Sequence, residues 1–260
     1  MNDDAARAAW AESLEPVTRT LLDLARPAPG ERVLDLGAGT GELARRLAAL
    51  VGERGSVVAA DPSADAIEAA GRAPRVPGSA PVLSVCASAE ALDVEGGFDC
   101  VVARNSVMYF GDLDRALSNA HRLLRPGGRL VASVYAALEH EPYHAIPLTA
   151  VLGRGPLSPP LPEYVAAFGV GGGEVIAALG RAGFRSTQWT EVAVRRTYPS
   201  MAAFESALRA SRSLGELLAR RSPDELPATW AEMLDSFSRF VRTDGVVVIP
   251  GRQVVVSAVA

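Results

Sequence analysis

The sequence predicts an α/β fold, in which a doubly wound, mostly parallel sheet of seven strands carries a small helical cap. The apolar run Val33–Leu36 precedes glycines at every second position, after which leucines return at helical spacing. Apolar runs and helical patterns then alternate up to residue 135, which is typical of parallel strands joined by helices. Segments 138–171 and 198–244 lack this alternation and predict the cap.

Composition limits the classes of protein that the chain can belong to. Its 260 residues are 48% hydrophobic and 22% charged, which is ordinary for a globular protein. The net charge of −4 favours no nucleic-acid partner, and no apolar run approaches the ~20 residues of a membrane span. The chain begins without a signal-like pattern, so we expect a cytoplasmic protein that has no membrane partner. Cys86 and Cys100 lie in predicted strands and are expected to be buried thiols, and no metal-ligand spacing is present.

The first segment reads as helical over residues 3–26, and Pro16 predicts a break between two helices. The first strand follows, and Gly37, Gly39 and Gly41 then form a turn into a helix. Such a turn needs backbone conformations that a Cβ resists, and a ligand can approach it closely. The helix N-terminus beyond the turn suits a carboxylate or a phosphate.

The spacing of these glycines and a preceding acid indicate which ligand fits. The spacing differs from the G-x-G-x-x-G of dinucleotide sites, and Asp35 would repel a pyrophosphate but favour a cation. S-adenosylmethionine has an ammonium, a sulfonium and no phosphate, and its carboxylate can use the helix N-terminus. A purely structural glycine turn in another α/β protein is the alternative.

The run DLGAGTG at residues 35–41 resembles the first motif of the class I S-adenosylmethionine-dependent methyltransferases. A helix, the run LRPGG at 124–128 and a strand add to this resemblance, and matched segments cover residues 31–135. The chain is similar to the small-molecule type, in particular to the ubiquinone/menaquinone group. The resemblance implies a Rossmann-like methyltransferase fold and S-adenosylmethionine as cofactor. It implies cofactor-binding roles for Asp35, Gly37, Ala38, Gly39 and Gly41.

The second predicted strand, Ser56–Ala60, ends at Asp61 and Pro62, which are assigned to the cofactor site. Asp61 lies 20 residues beyond Gly41, where an acid can accept hydrogen bonds from both ribose hydroxyls. Its alternative role is the N-cap of the next helix, for which Ser63 also suits.

The third predicted strand, Pro81–Cys86, is followed by Ser88 and Ala89 in a run that resembles the family's Gly-Asp-Ala-Glu-x-Leu. Ser88 replaces the aspartate that lies near the adenine amino group in the family, and its hydroxyl accepts a hydrogen bond more weakly. Both residues are assigned to the cofactor site.

The fourth predicted strand, Phe98–Ala103, ends at Arg104, which matches a family position that often contacts the methionine part. Because ligands lie beyond the carboxyl ends of parallel strands, Asn105 and Tyr109 are predicted to bind substrate. Tyr135, which ends the fifth strand, is predicted to bind substrate as well.

The insertion after the fifth strand holds Tyr143, a predicted substrate-binding residue, and two histidines, His140 and His144. A histidine near its ordinary pKa can deprotonate an acceptor, so these two are the candidate catalytic bases. The alternative is a hydrated loop with incidental histidines.

The domain assignment follows from these segments. It comprises an N-terminal helical lid at 1–30, a cofactor-binding core at 31–137, the cap insertion at 138–171, more core at 172–197, a helical cap at 198–244 and final strands at 245–260. Within the helical cap, single helices are predicted over 201–221 and 224–241.

The favoured function is in-line methyl transfer from S-adenosylmethionine to O, C or N of a small organic molecule. A reaction of another kind on the same fold, such as cyclisation, is the first alternative. An NAD-dependent oxidoreductase and a non-catalytic binding subunit are the others, and a homodimer is a further expectation.

Overall fold

A seven-stranded sheet with strand order β3-β2-β1-β4-β5-β7-β6 forms the centre of the fold. The computed structural model describes residues 3–153 and 170–260, so part of the predicted cap at 138–171 lies outside the described residues. The strands are β1 Arg32–Leu36, β2 Ser56–Asp61, β3 Val82–Cys86, β4 Phe98–Arg104, β5 Leu124–Tyr135, β6 Arg185–Tyr198 and β7 Val247–Val259.

The described helices are α1 Asp3–Ala25, α2 Glu42–Val51, α3 Ala64–Arg72, α4 Leu113–Leu123, α5 Pro142–Leu152, α6 Gly172–Arg181, α7 Met201–Arg209, α8 Arg212–Leu218 and α9 Leu226–Ser238. None of these helices combines the length and the apolar character that a membrane crossing needs.

Strands β1 to β5 pair in parallel, and β7 runs against them. The residues of β1 pair with β2 on one side and with β4 on the other. Gly127 N–H donates to Ala260 O, and Ala136 N–H donates to Arg252 O. Residue numbers therefore fall along β7 as they rise along β5, so the two strands are antiparallel. The α/β class and the mostly parallel sheet predicted from the sequence are therefore confirmed.

The chain divides into two compact units. The α/β unit consists of Val17–Val134, Val170–Val192 and Val254–Ala260. Strands β1, β2 and β4 are nearly continuous apolar runs because helices cover both faces of a parallel sheet. The carboxyl ends of these strands carry the glycine turn and most of the predicted cofactor-binding residues.

The helical unit consists of the described residues of Met1–Pro16, Tyr135–Gly169 and Ala193–Gln253. Its core is an apolar cluster to which α5 and α7 to α9 contribute. Phe204 and Phe237 are fully buried there, and their ring centroids lie 4.7 Å apart. This edge-to-face pairing of aromatic rings adds to the free energy gained from their burial.

Three local predictions were wrong. The predicted break at Pro16 is absent, since α1 continues through the proline. Proline removes one backbone donor, but buried residues on either side, Leu14 and Val17, stabilise the continuous helix. Cys86 is exposed rather than buried because β3 is the edge strand of the sheet.

The predicted helix over 201–221 is two helices, α7 and α8. The first ends at Arg209, and the hydroxyl of Ser211 then accepts a hydrogen bond from Leu214 N–H as the N-cap of the second. A serine that caps a new helix competes with continuation of the preceding one.

Candidate functional site

The turn between β1 and α2 depends on glycine geometry. Gly37, Gly39 and Gly41 all have positive φ, at 72°, 53° and 76°. The N–H groups of Gly37 and Ala38 donate to Ala60 O at 2.8 and 3.0 Å, which fixes the turn to the end of β2. A Cβ on Gly37 would lie 2.2 Å from Ser106 Cβ, so this position admits glycine alone.

Gly39 differs from Gly37 because the space above it is open. A Cβ at Gly39 would meet no heavy atom of the described residues within 4 Å. Its N–H donates to Asp61 Oδ2 at 2.8 Å, which ties the turn to the end of β2. The turn therefore leaves room for a ligand that lies directly on its backbone.

Asp61 joins the turn to the loop before α3. Its Oδ1 accepts from Ser63 N–H at 2.9 Å, while Ser63 Oγ accepts from Ala66 N–H and caps α3. The N-cap role considered for Asp61 thus belongs to Ser63. Each carboxylate oxygen of Asp61 keeps a lone pair, so the side chain can still accept from hydroxyl groups of a ligand.

Asp35 is a buried carboxyl with incomplete hydrogen bonding. Its side chain is 1% exposed, and among the described residues Oδ2 has no hydrogen-bond partner. Burial raises the pKa of Asp35 to about 7, although Arg104 opposes this and Ala44 N–H donates to the carboxyl. Such a group is unusual in a folded protein and favours a cationic ligand at this position.

Arg104 lies at the end of β4 and is already engaged. Its Nη1 donates to Thr18 Oγ1 at 2.8 Å, and its Nη2 pairs with Glu42 Oε2. The other oxygen of Glu42 lies 3.8 Å from Arg46 Nη1. The guanidinium predicted to contact the methionine part is thus held by an acidic residue of α2.

Asn105 has a strained backbone and a free donor. Its φ is 53°, and its N–H donates to Ser133 O and to Ser133 Oγ. The Ser133 hydroxyl in turn donates to Asn105 Oδ1 at 3.0 Å, which fixes the orientation of the amide. Nδ2 is then left buried without a partner in the described parts of the chain. Strain and a free donor together are typical of a ligand-binding position.

The remaining predicted residues of the α/β unit occupy varied environments. The hydroxyl of Ser88 hydrogen-bonds Glu90, and Ala89 is buried with its carbonyl bound by Asn119. Pro62 is exposed next to Asp61, and Tyr109 is 39% exposed. The structure therefore joins Asp61 to the glycine turn by a hydrogen bond, and Asp35 interacts electrostatically with Asp61 and Arg104.

The two candidate bases lie in the helical unit and differ sharply. His140 is exposed, whereas His144 Nε2 lies 3.3 Å from Arg196 Nη2. Burial and then the guanidinium hold the pKa of His144 well below its usual range. A neutral imidazole that accepts from an arginine has little tendency to take a further proton.

The two predicted substrate tyrosines of this unit also pack into the same region. The ring of Tyr135 is buried, 5.0 Å from the His144 ring. The Arg196 guanidinium carbon lies 4.1 Å above the Tyr143 ring centroid. Tyr143 and His144 therefore contact one buried arginine, and Tyr135 packs against His144.

Sequence reasoning missed the pair that organises this region, Glu141 and Arg196. Both side chains are almost fully buried, with Glu141 Oε2 3.7 Å from Arg196 Nη1. Glu141 Oε1 accepts from Arg252 N–H at 2.9 Å. Burial raises the pKa of Glu141 to about 7 against the effect of Arg196. The available signal was the alternation of β6, which places Arg196 in phase with the buried Val192 and Val194.

Within residues 3–153 and 170–260, no group of three His, Cys, Asp or Glu side chains could hold a metal ion.

The raised pKa of Asp35 predicts how stability changes with pH. The unfolded carboxyl loses its proton near 3.8 and the folded one near 7, so the folded state binds more protons between these values. Stability therefore falls as pH rises through this window, by at most about 1.4 kcal/mol per pH unit for each such group. We expect Asp35→Asn to reduce this slope in urea unfolding between pH 5 and 7, leaving the contribution of Glu141.

The matched control is Asp65→Asn, at an exposed position in the first turn of α3. It should keep the slope of the unaltered protein. An Asp35→Asn variant with that same slope would show that Asp35 is ionised in the folded state well below pH 7.

Comparison with known proteins identifies a domain within the chain. Residues 33–128 match a family model described as a methyltransferase domain. The ubiquinone/menaquinone biosynthesis C-methyltransferase UbiE of Edwardsiella ictaluri is 39% identical over 115 residues, which cover 44% of this chain and 46% of that protein. The chain thus spans about half the length of the curated relatives that it matches.

Solved structures resemble more of the chain at lower identity. A SAM-dependent methyltransferase from Aquifex aeolicus is 22% identical with a TM-score of 0.53, covering 69% of this chain and 86% of that one. The [4+2]-cyclase SpnF is 20% identical with a TM-score of 0.58, covering 93% and 79%. At these identities the likeness shows the fold, and it confirms the Rossmann-like methyltransferase fold that the motifs predict.

Proposed function

We propose, on the premise that residues 33–128 are a methyltransferase domain of the class I S-adenosylmethionine-dependent type, that the protein transfers a methyl group to a small organic molecule. The observation that carries the proposal is the open glycine turn, which lies between two carboxyl groups. Among the described residues, Gly39 leaves its backbone accessible, Asp61 accepts from the Gly39 N–H, and Asp35 keeps an oxygen without a hydrogen-bond partner.

These groups fit S-adenosylmethionine. Asp35 would compensate positive charge, and Asp61 would accept from the ribose hydroxyls. The N-terminus of α2 would receive the carboxylate. Ala38, Gly39 and Gly41 would present their backbone to the cofactor. Pro62, Ser88 and Ala89 would lie beside its adenosine part.

The bound cofactor supplies a methyl group on a positively charged sulfur. The chain then has to hold an acceptor atom in line with it, and such orientation can lower a barrier by about 7–11 kcal/mol. Asn105 Nδ2 can donate a hydrogen bond to the substrate that receives the methyl group. Tyr109 is exposed enough to contact this substrate. The low pKa of His144 argues against a general base there, whereas His140 stays a candidate.

A different reaction on the same fold is the second candidate function, and the likeness to the cyclase SpnF favours including it. The mass of the product distinguishes the two functions, since methylation adds one methyl group and leaves S-adenosylhomocysteine. Hydride transfer with NAD is tested in parallel by titration with NADH.

Calorimetric titration with S-adenosylmethionine tests the cofactor site. We expect Asp61→Asn to weaken binding about 10-fold or more, because the amide offers one acceptor oxygen where the carboxylate offers two. Asp65→Asn, four residues on and exposed, should bind as the unaltered protein does. Equal affinity in both variants would exclude the proposed ribose contact, and binding of NADH alone would contradict the methyltransferase function.

The proposal includes a small-molecule partner, a cytoplasmic location and a homodimer. Fractionation of cells that express the full-length protein tests the location, and sedimentation velocity tests the oligomeric state.

A further inference from the structure

Four charged groups face one another beside the glycine turn, and their charges do not balance. Asp35 lies on β1, Glu42 begins α2, Asp61 ends β2 and Arg104 ends β4. Asp35 interacts electrostatically with all three of the others. Within this group of four, three carboxyl groups face one guanidinium, and the further guanidinium of Arg46 lies beside Glu42.

The guanidinium is committed to Glu42 and not to Asp35. Arg104 Nη2 pairs directly with Glu42 Oε2, and Thr18 Oγ1 holds Arg104 Nη1 at 2.8 Å. Glu42 also has Arg46 Nη1 3.8 Å from its second oxygen. Asp35 receives only a backbone N–H, from Ala44, and its Oδ2 has no partner in the described ranges.

We propose that Glu42 is a positioning residue for the cofactor: by holding Arg104, it leaves Asp35 to be compensated by the cofactor's α-ammonium group, and Asp35 releases a proton when that cation binds. The inference rests on the proposed function, because it requires S-adenosylmethionine or its demethylated product at the turn. Only the O–H bond of Asp35 breaks, and its proton passes to the buffer.

The physical reason is the difference between the free and the bound site. Without a ligand, Asp35 is buried and faces Glu42 and Asp61, both of which disfavour a further negative charge. An ammonium ion close to Oδ2 supplies the opposite charge that this side chain lacks, and ionisation then becomes favourable. Binding of the cation and loss of the proton are therefore linked.

The experiment is calorimetric titration of the full chain with S-adenosylmethionine at pH 6.5, in buffers of different ionisation enthalpy. At this pH the α-amino group of the ligand is already protonated, so it takes up almost no further proton when it binds. The dependence of the heat on the buffer gives the number of protons released. With a pKa of about 7 for Asp35, we expect about 0.8 proton per site.

Different ligands and variants show which group of the ligand causes the proton release and which residue of the protein supplies the proton. S-adenosylhomocysteine, which keeps the ammonium but lacks the sulfonium, should release the same fraction, and methylthioadenosine, which lacks the ammonium, should release none. Asp35→Asn should release none. Glu42→Gln should release less than half as much, because a freed Arg104 can ionise Asp35 before the ligand arrives. Glu68→Gln, from the exposed pair with Arg72, is the matched control and should match the unaltered protein.

If Asp35→Asn binds S-adenosylmethionine too weakly for titration, the pH dependence of affinity in the unaltered protein tests the same proton release. Affinity should rise up to tenfold per pH unit below pH 7, level off above it, and fall again when the ligand's α-ammonium loses its proton at about pH 8.

Binding heat that is independent of the buffer would overturn the inference while leaving the proposed function intact. Full release in Glu42→Gln would remove the role of Glu42. Absence of any binding heat, with no change in thermal stability on adding ligand, would overturn both proposals.

Discussion

Replacing Arg196 with methionine is expected to lower the free energy of unfolding by about 3–5 kcal/mol. The guanidinium is 3% exposed, and it faces the Glu141 carboxyl and the His144 ring and covers Tyr143. Removal leaves Glu141 buried without its cation and takes away the packing on the tyrosine. Methionine is of similar length, so the loss reflects the charge more than the volume. Chemical unfolding at pH 8, where Glu141 is mostly ionised, measures the effect.

The neighbouring residue supplies the control. Arg195 has the same chemistry one position earlier on β6 but points to the exposed side of the strand. Arg195→Met should therefore change stability by less than about 0.5 kcal/mol. Similar losses in the two variants would mean that the effect comes from arginine at any position of β6 and not from the buried pair.

Alanine at Gly37 is expected to destabilise the protein by about 3 kcal/mol. The new Cβ would lie 2.2 Å from Ser106 Cβ, and the backbone has φ of +72°. Overpacking of this kind costs about 1–3 kcal/mol, and a left-handed alanine adds about 1–2 kcal/mol. Thermal and urea unfolding measure the loss without any ligand.

Gly39→Ala separates the two contributions. Its φ is +53°, but its Cβ would meet no heavy atom within 4 Å in the part of the chain that the structure describes, so only the backbone strain of about 1–2 kcal/mol should appear. The larger Gly39→Val should lose more stability than Gly39→Ala, because a β-branched side chain is strained further at positive φ, and it should abolish cofactor binding because its side chain occupies the proposed ligand space. Unimpaired binding by Gly39→Val would place the ligand elsewhere.

The parts of the fold that follow from local patterns were predictable. Val33–Leu36 is an apolar run before a glycine turn, and it forms β1 because buried parallel strands need apolar residues on both faces. The same reasoning gave β2, β4 and the carboxyl-end location of Asp35 and Asp61. The prediction of a break at Pro16 was wrong because proline's preference for a helix end is outweighed by burial of helical residues on both sides of it.

The parts of the site that depend on distant contacts were not predictable. Glu42 and Arg104 are 62 residues apart, and an acid in the first turn of a helix also suits the helix dipole alone. No pattern in the sequence predicts that Arg104 pairs with Glu42 and not with Asp35. Glu141 and Arg196 were missed for the same reason, since the pair forms only when α5 and β6 come together.

The contact between Gly37 and Ser106 also constrains how the sequence can change over evolution. The Ser106 hydroxyl donates to Leu36 O at 2.7 Å while its Cβ fills the space that a side chain at position 37 would need. A larger residue at 37 is strained by the positive φ and escapes the clash only after Ser106 has been lost, and that loss removes the hydrogen bond to Leu36. Substituting position 37 first creates the clash, and substituting Ser106 first removes the hydrogen bond, so either first substitution lowers stability. The two positions should thus be inherited as a pair.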